Sequence, residues 1–98
     1  MSADHDAPKR MQGRRIESPF AANGALIGEW PQPGDYYFYP EVGWCGESPN
    51  GHAVGLRKHD VTEHEDGTIT VSPSILVGTH EQPSLWHGYL ERGVWREC

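Results

Sequence analysis

Between Thr68 and Val77 apolar and polar side chains alternate. Ile69, Val71, Ile75 and Val77 fall on one face, and Thr70, Ser72, Ser74 and Leu76 on the other. A period of two is that of a half-buried strand. Pro73 interrupts it and has no N–H to give to a ladder, so the sequence predicts an edge or a bulge at that point. Upstream, Glu65-Asp66-Gly67 is a hairpin signal, because Asp and Gly tolerate positive φ, and "VTEHEDGTITVSPSILV" reads as a hairpin about it. "SLWHGYLERGVWRE" reads as a terminal hairpin turning at Glu91-Arg92-Gly93, and "EVGWCGESPNGHAVGL" as an earlier one turning at Pro49-Asn50-Gly51, with His52 to Leu56 returning. "DYYFYP" is a strand ended by Pro40, with Tyr37 and Tyr39 on one face and Tyr36 and Phe38 on the other. Asn23-Gly24 marks a turn in "FAANGALIGEW", where Leu26, Ile27 and Trp30 are expected to begin the core, and "PQPG" is a rigid connection.

No window sustains a helical period, so any helix is short. Residues 1–17, "MSADHDAPKRMQGRRIE", are polar with little period and read as a flexible, disordered or loosely attached N-terminal arm. The expectation is mainly β: a small single domain of three antiparallel hairpins over residues 18–98, with the arm outside it.

The totals narrow the classes without choosing one. The chain has 98 residues, which fits one domain, and its 12 Gly and 8 Pro suit short strands and tight turns. Residues 1–17 carry four basic and three acidic side chains, while the remainder carries four basic and eleven acidic. An acidic body argues against nucleic acid as partner, since a phosphate backbone calls for a basic face. No apolar run approaches the roughly 18 residues of a membrane span. Two cysteines, Cys45 and Cys98, do not make a disulfide scaffold, which places the chain in a reducing, cytoplasmic compartment.

Three constellations bear on chemistry. Ser72 and Ser74 stand on the polar face of the Thr68–Val77 segment, and His87 on the segment after it. A serine hydroxyl becomes a nucleophile when a base takes its proton. If the two strands are neighbours, opposed side chains come to roughly 5 Å at Cβ, near enough for a hydroxyl–imidazole bond, and Gly88 permits close approach of another backbone. The same serines serve equally as turn residues and the same histidine as a packed neighbour of Trp86. Metal is the second possibility: six histidines and two cysteines are enough, but no C-x-x-C or H-E-x-x-H occurs, and a pairing of Cys45 with His87, completed by one or two other histidines, is what remains for zinc. The aromatic set from Trp30 to Trp95 is expected in the core, with any exposed subset marking a binding face.

"TITVSPSI" (Thr68–Ile75) and "WHGYLERGVW" (Trp86–Trp95) resemble, in order and spacing, two motifs of the BubE-like family of bacterial ubiquitin-like conjugation operons and its stand-alone phage relatives. In that family a Ser-Pro-Ser-Ile strand precedes a histidine that opens a terminal hairpin with a glycine turn. The resemblance covers about the last two-thirds of the chain. It implies a peptidase that processes ubiquitin-like or other protein tails, with Ser74, or else Ser72, as nucleophile and His87 as base. It also implies a protein or peptide partner and the host cytoplasm where the copy is phage-encoded, while the absence of a cofactor is expected from this chain's departures from the family, not from the likeness. Two departures stand out. Relatives carry a cysteine cluster near the first hairpin, where this chain has Cys45 alone. They also carry C-x-x-H before the terminal hairpin, where Ser84 replaces the cysteine. Expected oxyanion donors are backbone N–H groups near Pro73–Ile75 or Gly88. Glu63, His64 and Glu81 are candidates to orient the base. The competing class is a non-catalytic phage accessory protein that binds a host protein, with an anti-defence role as one form of it.

Overall fold

A computed structural model describes residues 9–98. Nine strands and no helix occur among the described residues, nor therefore any helix long and apolar enough to cross a membrane. They are β1 (Arg10–Gln12), β2 (Arg14–Arg15), β3 (Asp35–Tyr39), β4 (Gly43–Glu47), β5 (Ala53–Gly55), β6 (Asp60–Glu63), β7 (Ile69–Val77), β8 (Trp86–Glu91) and β9 (Val94–Glu97). One sheet has the order β1-β9-β8-β7-β6, the other β2-β3-β4-β5. All pairs are antiparallel except β2 with β3.

The alternation along β7 determines where the core sits. Ile69, Val71, Ile75 and Val77 are buried, and they pack with Trp86, Leu90 and Trp95 of the same sheet and with Tyr36 and Leu56 of the opposite half. Trp95 is the centre of this layer. Its ring lies against Trp86 edge to face, and its indole N–H donates to the Gly34 carbonyl at 2.9 Å, tying the two sheets together. Tyr37 and Tyr39 lie on the other face of β3 and are covered by Phe20, as a period of two requires.

The turns form where turn residues stand. Gly67 has φ 87°, and the Asp66 carboxylate accepts from the Thr68 N–H and hydroxyl, closing the β6–β7 hairpin. Between β8 and β9 the loop is Arg92-Gly93, both with positive φ, the primed turn that matches strand twist. Pro49-Asn50-Gly51 turns β4 into β5, and Asn23-Gly24 turns a short loop bridged at Phe20 and Leu26. A further hairpin joins β3 to β4 through residues 40–42, so four tight hairpins replace the three expected.

Two expectations need correction. Residues 10–15 of the supposed arm are paired strands: β1 lies on β9, the chain crosses between sheets at Gly13, and β2 lies on β3. Their basic side chains face solvent from sheet edges, where charge is ordinary, so a polar composition hides strand pairing. Residues 1–8 of that expectation lie outside the described residues. Leu26, Ile27 and Trp30 do not begin the core. They are 37%, 66% and 65% exposed, because the segment that carries them wraps over the outside of β3.

Candidate active site

Pro73 breaks the ladder as its missing N–H demands. Val71 pairs with Leu90 and Ile75 with Gly88, so β7 spends four steps where β8 spends two. The intervening Ser72-Pro73-Ser74, set against Tyr89 alone, form a bulge, and the Ser72–Pro73 bond is cis. The bulge re-aims Ser74 on the outer face of the sheet, where Leu76 stands opposite His87. The His87 Nε2 and Ser74 Oγ atoms are 2.9 Å apart. His87 is exposed and Ser74 half-buried. Ser72 is placed differently: it is exposed and paired with Asp60 of β6, and no hydrogen bond joins its side chain to His87.

A second histidine, which sequence reasoning passed over, fixes the serine from behind. The Ser74 carbonyl can only accept, so His59 Nε2–H donates to it, at 3.1 Å. His59 Nδ1 is then buried without a partner. The only sequence signal for this contact was the position of His59 just before the strand that pairs with β7.

Gly88 is required next to His87. A Cβ there would run into the Arg96 carbonyl and the Trp86 ring, so β8 and β9 approach at this residue in a way only glycine permits. The Cys98 N–H donates to the His87 carbonyl at 2.9 Å, which shows that the His87 backbone is turned toward β9. In an antiparallel ladder this turns Gly88 toward Ile75. The expected oxyanion donors at Ile75 and Gly88 are therefore engaged with each other, and Pro73 has none to offer.

The candidate orienting groups lie elsewhere. Glu63 accepts from Arg15 at 2.6 Å, His64 contacts the Thr70 hydroxyl at 2.7 Å, and Glu81 sits in the exposed 78–84 loop. Among the described residues no carboxylate bonds to His87 Nδ1, so the pair is a dyad. The proposed metal pairing is not assembled. Cys45 stands opposite Tyr37 on the outer face of β4, and His87 is on the outer face of the other sheet, with the core between them. Burial pushes the Cys45 thiol up, with the Tyr37 hydroxyl as the opposing influence. No group of three or more His, Cys, Asp or Glu side chains comes together among the described residues.

The clefts lined by Arg14, Ile27, Trp30 and Asp35, and by Glu63, His64, Asp66 and Arg92, include neither Ser74 nor His87. The dyad stands on an open face beside Leu76, which is 56% exposed. Such a face can be reached by a chain segment without any lid or cavity. No family model, curated protein or solved structure matches this chain.

Proposed function

We propose that the protein is a serine hydrolase of peptidase type, acting on polypeptide tails, with Ser74 as nucleophile and His87 as base. The observation that carries the reading is the 2.9 Å contact between Ser74 Oγ and His87 Nε2 at a strand bulge. Bulges recur next to active sites because they re-aim one side chain out of a regular ladder. The open face favours an extended polymer over an enclosed small molecule, and the resemblance of Thr68–Ile75 and Trp86–Trp95 to the BubE-like motifs points to protein tails.

In this reaction His87 Nε2 accepts the Ser74 hydroxyl proton as Oγ bonds to the scissile carbonyl carbon. The tetrahedral adduct collapses, the C–N bond breaks, and the same proton passes from Nε2 to the leaving amine. Water then gives a proton to His87 and its oxygen to the Ser74 ester, releasing the acid and restoring the serine. A dyad without an orienting carboxylate is a modest catalyst, since nothing within the described residues fixes the tautomer of His87.

The test is cleavage of ubiquitin-like proteins with C-terminal extensions, together with labelling by a fluorophosphonate. Ser74→Ala should abolish both with the thermal midpoint unchanged, and His87→Ala should do comparable damage because the two act as one unit. Ser72→Ala should be mild. Labelling at Ser72 in place of Ser74 would reassign the nucleophile. Absence of both labelling and cleavage in the unaltered protein would leave the binding-module alternative.

A further inference from the structure

The strand that carries Ser74 outlasts its neighbour on one side. β6 pairs with β7 only as far as Asp60 opposite Ser72. Before Asp60 the chain turns away: the His59 N–H donates to the Leu56 carbonyl, and the Leu56 N–H to Trp44 in the other sheet. From Ser74 to Val77, β7 has a paired strand on the β8 side alone.

The direction of the backbone groups there follows from the ladder. The Val77 carbonyl accepts from Leu85 N–H, so Val77 faces β8. The His87 carbonyl is taken by Cys98, so Leu76, which stands opposite His87, receives nothing from it. The Ser74 carbonyl points away from β8, to His59. By alternation the Leu76 N–H and C=O also point away from β8, onto an edge that no described strand covers. Leu76 itself is 56% exposed on the face that holds the dyad.

We infer that an extended polypeptide segment of the substrate adds as a strand to this edge, one residue exchanging both backbone hydrogen bonds with Leu76. The inference rests on the hydrolase reading and names how that site takes its substrate. Leu76 is two residues from Ser74, about 7 Å along a strand, so a segment paired at Leu76 delivers a neighbouring carbonyl to the serine. Strand addition draws affinity from main-chain hydrogen bonds and specificity from alternate side chains. The substrate side chain directly across from Leu76 lies on the dyad face and is apolar, because cross-strand pairs of that kind stabilise one another. Ser74, Leu76 and the approaching segment then share one edge, and no pocket is needed.

The experiment measures inactivation of the full chain by two probes. A small fluorophosphonate reports Ser74 alone. Diphenyl phosphonates of mixed-sequence tetrapeptides report Ser74 plus the edge, and each is also made with a methyl group on one backbone nitrogen in turn. Methylation at one position should slow inactivation by about tenfold or more, because that nitrogen loses its bond to the Leu76 carbonyl and the methyl group crowds the edge. Hydrogen exchange at the Leu76 amide should slow by at least about tenfold in the peptidyl adduct and not in the fluorophosphonate adduct. Equal rates for every methylated peptide, equal exchange in the two adducts, or labelling by the fluorophosphonate with none by the peptides would each overturn strand addition while sparing the hydrolase. If the fluorophosphonate leaves Ser74 untouched, the hydrolase reading fails and strand addition falls with it.

Discussion

His59 acts on Ser74 through the backbone, and its effect is open to a conservative swap. His59→Ala removes the donor to the Ser74 carbonyl and leaves the bulge free to shift. A displacement near 1 Å at a reacting group costs roughly a hundredfold in rate, so fluorophosphonate labelling should slow by about ten- to a hundredfold. His59→Gln keeps an N–H in reach and should recover most of the rate, which a purely structural loss would not. Gly88→Ala forces a methyl group into the Arg96 carbonyl and the Trp86 ring, and overpacking of this kind costs about 1–3 kcal/mol, readable as a lowered urea midpoint. Arg92 is the opposite case. It holds φ 45° in a turn that favours Asn or Gly, so Arg92→Asn should raise stability by about 0.5 kcal/mol in the same assay.

At the scale of elements the short edge strands matter most. Met11 of β1 packs against the core, and β1 contributes its ladder to β9. Deleting residues 1–12 should therefore cost about 2 kcal/mol and lower the thermal midpoint by roughly 10 °C, followed by circular dichroism. The hairpins about Asp66-Gly67 and Arg92-Gly93 were legible because the turn residues and the period of two agree. The bulge at Pro73 was legible for the same reason: a missing N–H is a local fact. β1 and β2 were not, because strands of three and two residues, with Met11 as their one apolar side chain, are too short to carry a period, and only their partners far along the chain define them. Trp30 misled in the other direction, since a large apolar side chain says nothing of which side of a sheet its loop crosses. Of the candidate site, the Ser74 and His87 contact could be anticipated from alternation plus a neighbouring strand. The role of His59 and the loss of the Ile75 and Gly88 N–H groups to the ladder could not, because both depend on register.

For the molecule as a whole the outer face of β3 sets an alkaline limit. Burial, with Cys45 and Glu47 nearby, pushes the Tyr37 hydroxyl from 10.0 to about 12, and burial raises Tyr36 as well. Between those two values the unfolded chain has released its phenolic proton while folded Tyr37 still holds it. The folded state then binds more protons, so stability falls as pH rises; the contribution is whole below pH 10 and lost by about 12. For a shift of this size the fall is on the order of 2–3 kcal/mol. Urea melts at pH 9, 10 and 11 should show the decline, and Tyr37→Phe should flatten it. Arg15 links the halves at their other end: it donates to Glu63 at 2.6 Å and to the Gly67 carbonyl at 3.0 Å, and its guanidinium lies over Trp44.

The pairing of β1 with β9 also sets the timing of assembly during synthesis. Arg10–Gln12 are made long before the strand they lie on, Val94–Glu97. Trp95, the centre of the core and the residue that joins the two sheets, arrives with it. Closing a loop of that span precedes any reward from its contacts, so such topologies fold slowly. A nascent chain that has not yet emitted β9 has neither its central side chain nor a partner for its first strand, and β8, with His87 on it, waits with one edge open. Ser74 and His87 can therefore meet in a settled geometry only once β9 has joined the sheet, and the hydrolase proposed above would become competent no earlier than that.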